Sequence, residues 1–151
     1  YIQPDVNKAI HYFSLAANQN DSVSQYNLGL TYFNNKYIKR DINKAIKYFT
    51  LAANQNCSDA QNTLGYIYSN VTFVPRDINR AIYYYTLSGK QNNQMAQFNL
   101  ACIYNEGKCV PVDIKKALYL FDFAANKSGV HPDSVLVCCI FGNDNKYETK
   151  S

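Results

Sequence analysis

The chain has 151 residues, 47% of them hydrophobic and 17% charged, a balance that excludes an intrinsically disordered segment and suits one folded domain. Its net charge of +4 is scattered, with no basic run longer than Lys39-Arg40 or Lys115-Lys116, so no concentrated surface for nucleic acid is expected. No apolar stretch reaches the ~18 residues of a membrane-spanning helix. There is no recognisable leader, and the start at Tyr1 leaves open that the sequence is an excerpt.

The first element sets the pattern for the rest. Asp5 to Asn20 reads DVNKAIHYFSLAANQN and returns from Asp41 to Asn56 as DINKAIKYFTLAANQN, with thirteen of sixteen positions identical. Looser copies start at Asp77 and Asp113, so the four aspartates stand 36 residues apart. Ala9, Ile10, Phe13 and Ala17 share one helical face, while Lys8 and His11 fall off it. Each aspartate stands where an N-cap accepts a backbone N–H and suits the positive end of the helix dipole.

A second segment interleaves with the first. It reads SQYNLGLTY from Ser24, AQNTLGYIY from Ala60 and AQFNLACIY from Ala96, again in steps of 36; a fourth copy at Pro132 to Ile140 is eroded. Its starts, Ser22-x-x-Gln25 and Ser58-x-x-Gln61, fit a capping box in which Ser and Gln satisfy each other's orphan donors. Gly29 and Gly65 each cost about 1 kcal/mol inside a helix, and a cost taken twice in the same register implies a close helix neighbour there. Helices are therefore predicted at 5–18, 21–34, 41–54, 57–70, 77–90, 93–106, 113–127 and 132–142. One pair cannot bury its apolar face alone, but stacked pairs can. The expectation is an all-α, right-handed solenoid of antiparallel helix pairs over 1–142, with its first and last repeats incomplete and a C-terminal tail at 143–151.

These residues resemble the Sel1-like repeat family, relatives of the tetratricopeptide repeats. Ala96, Leu100, Tyr104, Gly107, Val110, Asp113, Lys116, Ala117 and Ala124-Ala125 match its unit, and Leu28-Gly29, Tyr32, Asp41, Lys44-Ala45, Tyr48-Phe49 and Ala52-Ala53 do so nearly as well. Departures are Asn35 and Tyr37, then Val71 and Phe73, at loop positions where the family has glycine. The resemblance implies a scaffold or adaptor, as in endoplasmic-reticulum quality control and bacterial–host contact. The disulfide that some members carry in each repeat is not carried over, because no cysteine pair recurs with the period.

Little points to chemistry. His11 stands in the register of Lys47, a solvated face, and His131 precedes Pro132 at a helix start. Cys102 and Cys138 share a slot with Leu30 and Tyr66, which reads as packing or surface lining. Five cysteines in unsuitable spacings give neither a closed disulfide framework nor a zinc site, and buried thiols in a reducing compartment are expected. No phosphate loop is present, so no metal and no cofactor are expected. A hydrolase, as claimed for some Sel1-like proteins, is the remote alternative; it lacks a nucleophile beside a base. Asn20, Asn56, Asn70 and Asn126 head glycosylation triplets, about what chance gives in so Asn-rich a chain. The compartment is read as cytoplasmic, with the endoplasmic-reticulum lumen as the alternative.

The expected function is non-catalytic: a peptide or partner domain held on the concave surface of the first helix of each repeat. By analogy with tetratricopeptide repeats, that surface comprises Val23, Tyr26, Leu30, Phe33 and Asn34, then Asp59, Asn62, Tyr66, Ser69 and Asn70, then Met95, Phe98, Cys102, Asn105 and Glu106. Of these, Tyr26, Leu30, Phe33, Asn34, Asn62, Tyr66, Asn70, Met95, Phe98 and Asn105 are the candidate partner-binding residues. Aromatic side chains suit binding hot spots, and Asn pairs with a peptide backbone. The alternatives are a structural spacer within a larger repeat protein, and self-association through exposed repeat ends around Ile10 and Phe13.

Overall fold

The computed structural model describes residues 5–34, 38–107 and 110–128. Among them stand seven α-helices and no strand: α1 (Val6–Asn18), α2 (Ser22–Asn34), α3 (Ile42–Asn54), α4 (Ser58–Ser69), α5 (Ile78–Lys90), α6 (Gln94–Glu106) and α7 (Ile114–Ser128). Each end lies within one residue of its predicted place. The expected helix at 132–142, the tail, His131, Cys109, Cys138, Cys139, Asn35 and Tyr37 lie outside the described residues.

Every odd-numbered helix starts the same way. The Asp5, Asp41, Asp77 and Asp113 carboxylates accept the backbone N–H of Lys8, Lys44, Arg80 and Lys116, each at 3.0 Å. The aspartate backbone N–H groups tie the repeats to one another. Those of Asp41, Asp77 and Asp113 donate to the carbonyls of Tyr32, Tyr68 and Tyr104 on the preceding helices.

The turns after α1, α3 and α5 repeat as well. Asn20, Asn56 and Asn92 take the left-handed backbone, with φ of 65°, 62° and 64°. The next N–H reaches back five residues, from Asp21 to Ala16, Cys57 to Ala52 and Asn93 to Ser88. This is the Schellman closure, and Asn tolerates its positive φ better than other residues with a Cβ. Part of the asparagine richness is therefore structural.

The expected capping boxes are absent. Ser22 and Ser58 are the first helical residues, and the N-caps are Asp21, which accepts the Ser24 N–H at 2.7 Å, and Cys57, whose side chain caps nothing. The glutamines thus fall one position beyond where a box needs them, and they turn inward. Gln25, Gln61 and Gln97 are buried and donate to the carbonyls of Ala17, Ala53 and Gly89 on the preceding helix. Gln55 then donates to Gln25, and Gln91 to Gln61, each at 2.7 Å. A buried carboxamide needs its partners, and Gln25 and Gln61 each use both ends to join three consecutive helices.

Two helical glycines meet aromatic rings. A Cβ on Gly29 would lie 2.6 Å from the Phe49 ring, and one on Gly65 would lie 2.6 Å from that of Tyr85. Phe49, Tyr85 and Phe121 are all but fully buried, 36 residues apart, each pressed from the following helix onto α2, α4 or α6. These contacts make the α2–α3, α4–α5 and α6–α7 pairings the most extensive in the chain. Toward α1 the cover thins: Ala9 is exposed where its equivalent Ala45 is fully buried.

Two substitutions test this framework. Gly65→Val drives two methyl groups into the Tyr85 ring and should lower stability by about 1–3 kcal/mol in urea unfolding. Gln61→Met keeps the shape but strands the Ala53 carbonyl and the Gln91 amide, and should cost a further independent ~1–3 kcal/mol in the same measurement.

Candidate binding cleft

The first helix of each repeat (α2, α4, α6) presents the face on which a partner was expected, and the repeats treat that face differently. In the first, the aromatic rings fill it. Phe33 packs 6.1 Å from Phe49 and 5.0 Å from Phe73, and the Arg40 guanidinium lies over both Phe33 and Phe73. Tyr26 leans on Phe49 at 5.7 Å, and Leu30 packs against the same core. Only Val23 and Asn34 of this group are exposed.

One repeat later the register position of Phe33 is Ser69, and the space opens. A cleft of ≈ 480 Å³ lies between α4 and α6, walled by Tyr66, Ser69 and Asn70 on one side and by Asn99, Cys102 and Glu106 on the other. Arg76, which stands in the register of Arg40, lines it too. Tyr85 forms the floor, its hydroxyl 3.4 Å from Ser69 Oγ. Tyr66 is 44% exposed, its ring 5.6 Å from Phe73. The cleft thus combines an accessible phenol, short polar side chains and one charge of each sign at its rim.

Of the expected residues, this cleft gathers Tyr66, Ser69, Asn70, Cys102 and Glu106. Asn62 lies beside it and accepts from Asn99 Nδ2 at 3.4 Å; Asp59 accepts from Asn93 at 3.3 Å. Met95 is exposed at the start of α6, and Asn105 is half-buried near its end. Phe98 turns into the core, with its ring 5.7 Å from Phe121. Arg76, Asn99 and Tyr85 were missed. The available signal was the change from Phe33 to Ser69 at a fixed register, which removes the ring that covers the equivalent site.

Burial dominates the electrostatics of the floor. It pushes the Tyr85 hydroxyl from 10.0 up to about 12, and the bond to Ser69 offsets this only in part. Tyr26 is raised as well, chiefly by burial. Among the described residues no three His, Cys, Asp or Glu side chains gather as a metal site would require. His11 is exposed on α1, edge-on to Tyr12.

Helix pairs stacked with a constant period, open on one face, define the class as an α-solenoid. The chain belongs to the Sel1-repeat family: the family profile matches residues 1–21, 22–57, 58–93 and 94–128. No curated protein sequence matches significantly. Among solved structures, the chain is 30% identical to c5321, a protective antigen of uropathogenic Escherichia coli with an SLR fold, over 78% of this chain and 25% of that one, with a TM-score of 0.74. It is 32% identical to a Sel1 repeat protein from Oxalobacter formigenes, over 82% and 50% of the two chains, with a TM-score of 0.73. Cysteine-rich protein B (hcpB) of Helicobacter pylori is 27% identical over 81% and 87%, with a TM-score of 0.62. The chain therefore spans a quarter and a half of the first two. Sel1 repeats commonly mediate protein–protein interaction and are generally non-catalytic. No helix among the described residues is long and apolar enough to cross a membrane.

The raised Tyr85 pKa makes alkaline stability measurable. Its folded value exceeds its unfolded one, so the stabilising contribution is complete below pH 10.0 and is lost as pH rises toward about 12. Tyr85→Phe places at this position the residue that Phe49 and Phe121 supply in the other repeats. The variant should lose less melting temperature than wild type between pH 9 and pH 11, scaled on the tyrosine range, in circular-dichroism melts.

Proposed function

We propose that the chain is a protein-interaction scaffold that holds an extended peptide segment of a partner across α4 and α6. One observation carries this reading. The face that Phe33 and Arg40 close in the first repeat is open in the second, where Ser69 leaves a ≈ 480 Å³ cleft beneath the exposed Tyr66. Such a cleft suits a peptide. Tyr66 offers a rigid aromatic contact, Asn70 and Asn99 offer backbone-matching amides, and Arg76 and Glu106 set the direction of a chain with unlike charges at its ends. Repeat solenoids bind extended ligands on this side in general. The spacer reading finds less support, since a spacer has no need to vary the filling of this face from one repeat to the next.

The test is capture of partners from the source cell by crosslinking, with wild type beside a Tyr66→Ala, Arg76→Glu double variant. Both residues are exposed, so the variant should keep its helical signal and melting temperature. Loss of a hot-spot aromatic should weaken binding by about 2 kcal/mol, roughly thirtyfold. Equal capture by both proteins would reject the cleft. Phe98 is unsuited to this purpose because its ring supports the core.

A further inference from the structure

A second cavity lies on the opposite side of α6. Residues 99, 102 and 106 face the peptide cleft, whereas Gln97 and Leu100 point the other way, into a space of ≈ 330 Å³ between α5 and α7. Thr86 and Gly89 of α5, and Leu120 and Phe123 of α7, form its walls.

The preceding repeat shows what this space is shaped for. At the position of Leu120 stands Tyr84, whose ring stacks on Tyr68 at 5.9 Å and 5°. Tyr48 stacks on Tyr32 in the same way, at 5.9 Å and 7°. In the third repeat Tyr104 and Thr86 keep their places, but Leu120 supplies no ring and no hydroxyl. A hydrogen-bond donor is missing too. Gln25 and Gln61 each receive an N–H from a glutamine 30 residues on, whereas Gln97 Oε1 is buried without a partner among the described residues. Gln97 itself is 5% exposed and lines the cavity.

We infer that the cavity between α5 and α7 binds a phenol group, which restores both the ring that Leu120 lacks and a donor for Gln97 Oε1. A phenol is the smallest group that supplies both, and the exposed Lys90 and Lys116 side chains that also line the cavity repel a cationic donor, which favours a neutral O–H. The site is independent of the peptide cleft, so either can fail without the other.

The experiment titrates the full chain with three probes, followed by the NMR signals of Leu100, Leu120 and Phe123. p-Cresol stands for a free small phenol, N-acetyl-tyrosinamide for a peptide tyrosyl group, and N-acetyl-phenylalaninamide for the ring alone. Saturable binding of p-cresol is expected. If the tyrosinamide also binds, and about fivefold more tightly than the phenylalaninamide, the hydroxyl is read and the source can be a peptide. If only p-cresol binds, the ligand is a free small phenol. Leu120→Tyr should abolish binding and raise the melting temperature, with Leu120→Phe as the milder filling variant should the first not fold. Tyr66→Ala should leave the titration unchanged. No saturable binding of either phenol, undiminished binding by a folded filled variant, or equal binding of tyrosinamide and phenylalaninamide would overturn the proposal.

Discussion

An aromatic ring pressed closely against bare helix backbone is the contact on which the remaining geometry depends. Phe49 occupies the place that a Cβ at Gly29 would claim, and Tyr85 does the same at Gly65. Glycine weakens each helix locally, yet the close approach lets a full ring be buried between two helices, which far outweighs that cost. The ring's position then sets how near the next helix comes, and so where the capping aspartates, the left-handed asparagines and the buried glutamines of adjacent repeats meet. In the third repeat Ala101 takes the glycine's place against Phe121, so the slot admits one methyl group and still closes.

With that frame constant, differences between repeats carry the individuality of the molecule. Two exchanges at fixed register, from Phe33 to Ser69 and from Tyr84 to Leu120, each remove a ring from an otherwise repeated layer. They open cavities on opposite sides of α6, one walled by α4, the other walled by α5 and α7. A repeat protein acquires a site in this manner without altering its fold, because each layer touches only its neighbours.

The fold was legible because its signals recur. Four aspartates at one spacing made the caps unmistakable, and a glycine repeated inside a helix pointed to the close neighbour that Phe49 and Tyr85 prove to be. The glutamines were misread for a simple reason: Ser-x-x-Gln fits a capping box, and one residue's shift of the N-cap sends the carboxamide inward instead of back along its own helix. The Asn20, Asn56 and Asn92 turns were not legible because, in so Asn-rich a chain, three asparagines at one spacing do not stand out from the others. The cleft was legible only in part. Helical periodicity put Tyr66 and Asn70 on the face that carries the cleft, but it treats Phe33 and Ser69 as the same position, and volume left empty by a missing ring has no sequence pattern of its own.

The glutamine ladder also governs how the chain finds its structure. Its rungs join residues only 30 positions apart, and the longest side-chain hydrogen bond among the described residues spans 37. Extensive helix contacts link immediate or next-but-one neighbours. Among the described residues no extensive helix contact waits on the closure of a long loop, so the entropy of ordering is met in instalments of one repeat. Folding can begin at any complete layer, of which the best filled is that around Phe49, and spread in both directions. Lengthening such a chain by further repeats would add stability without slowing the first step.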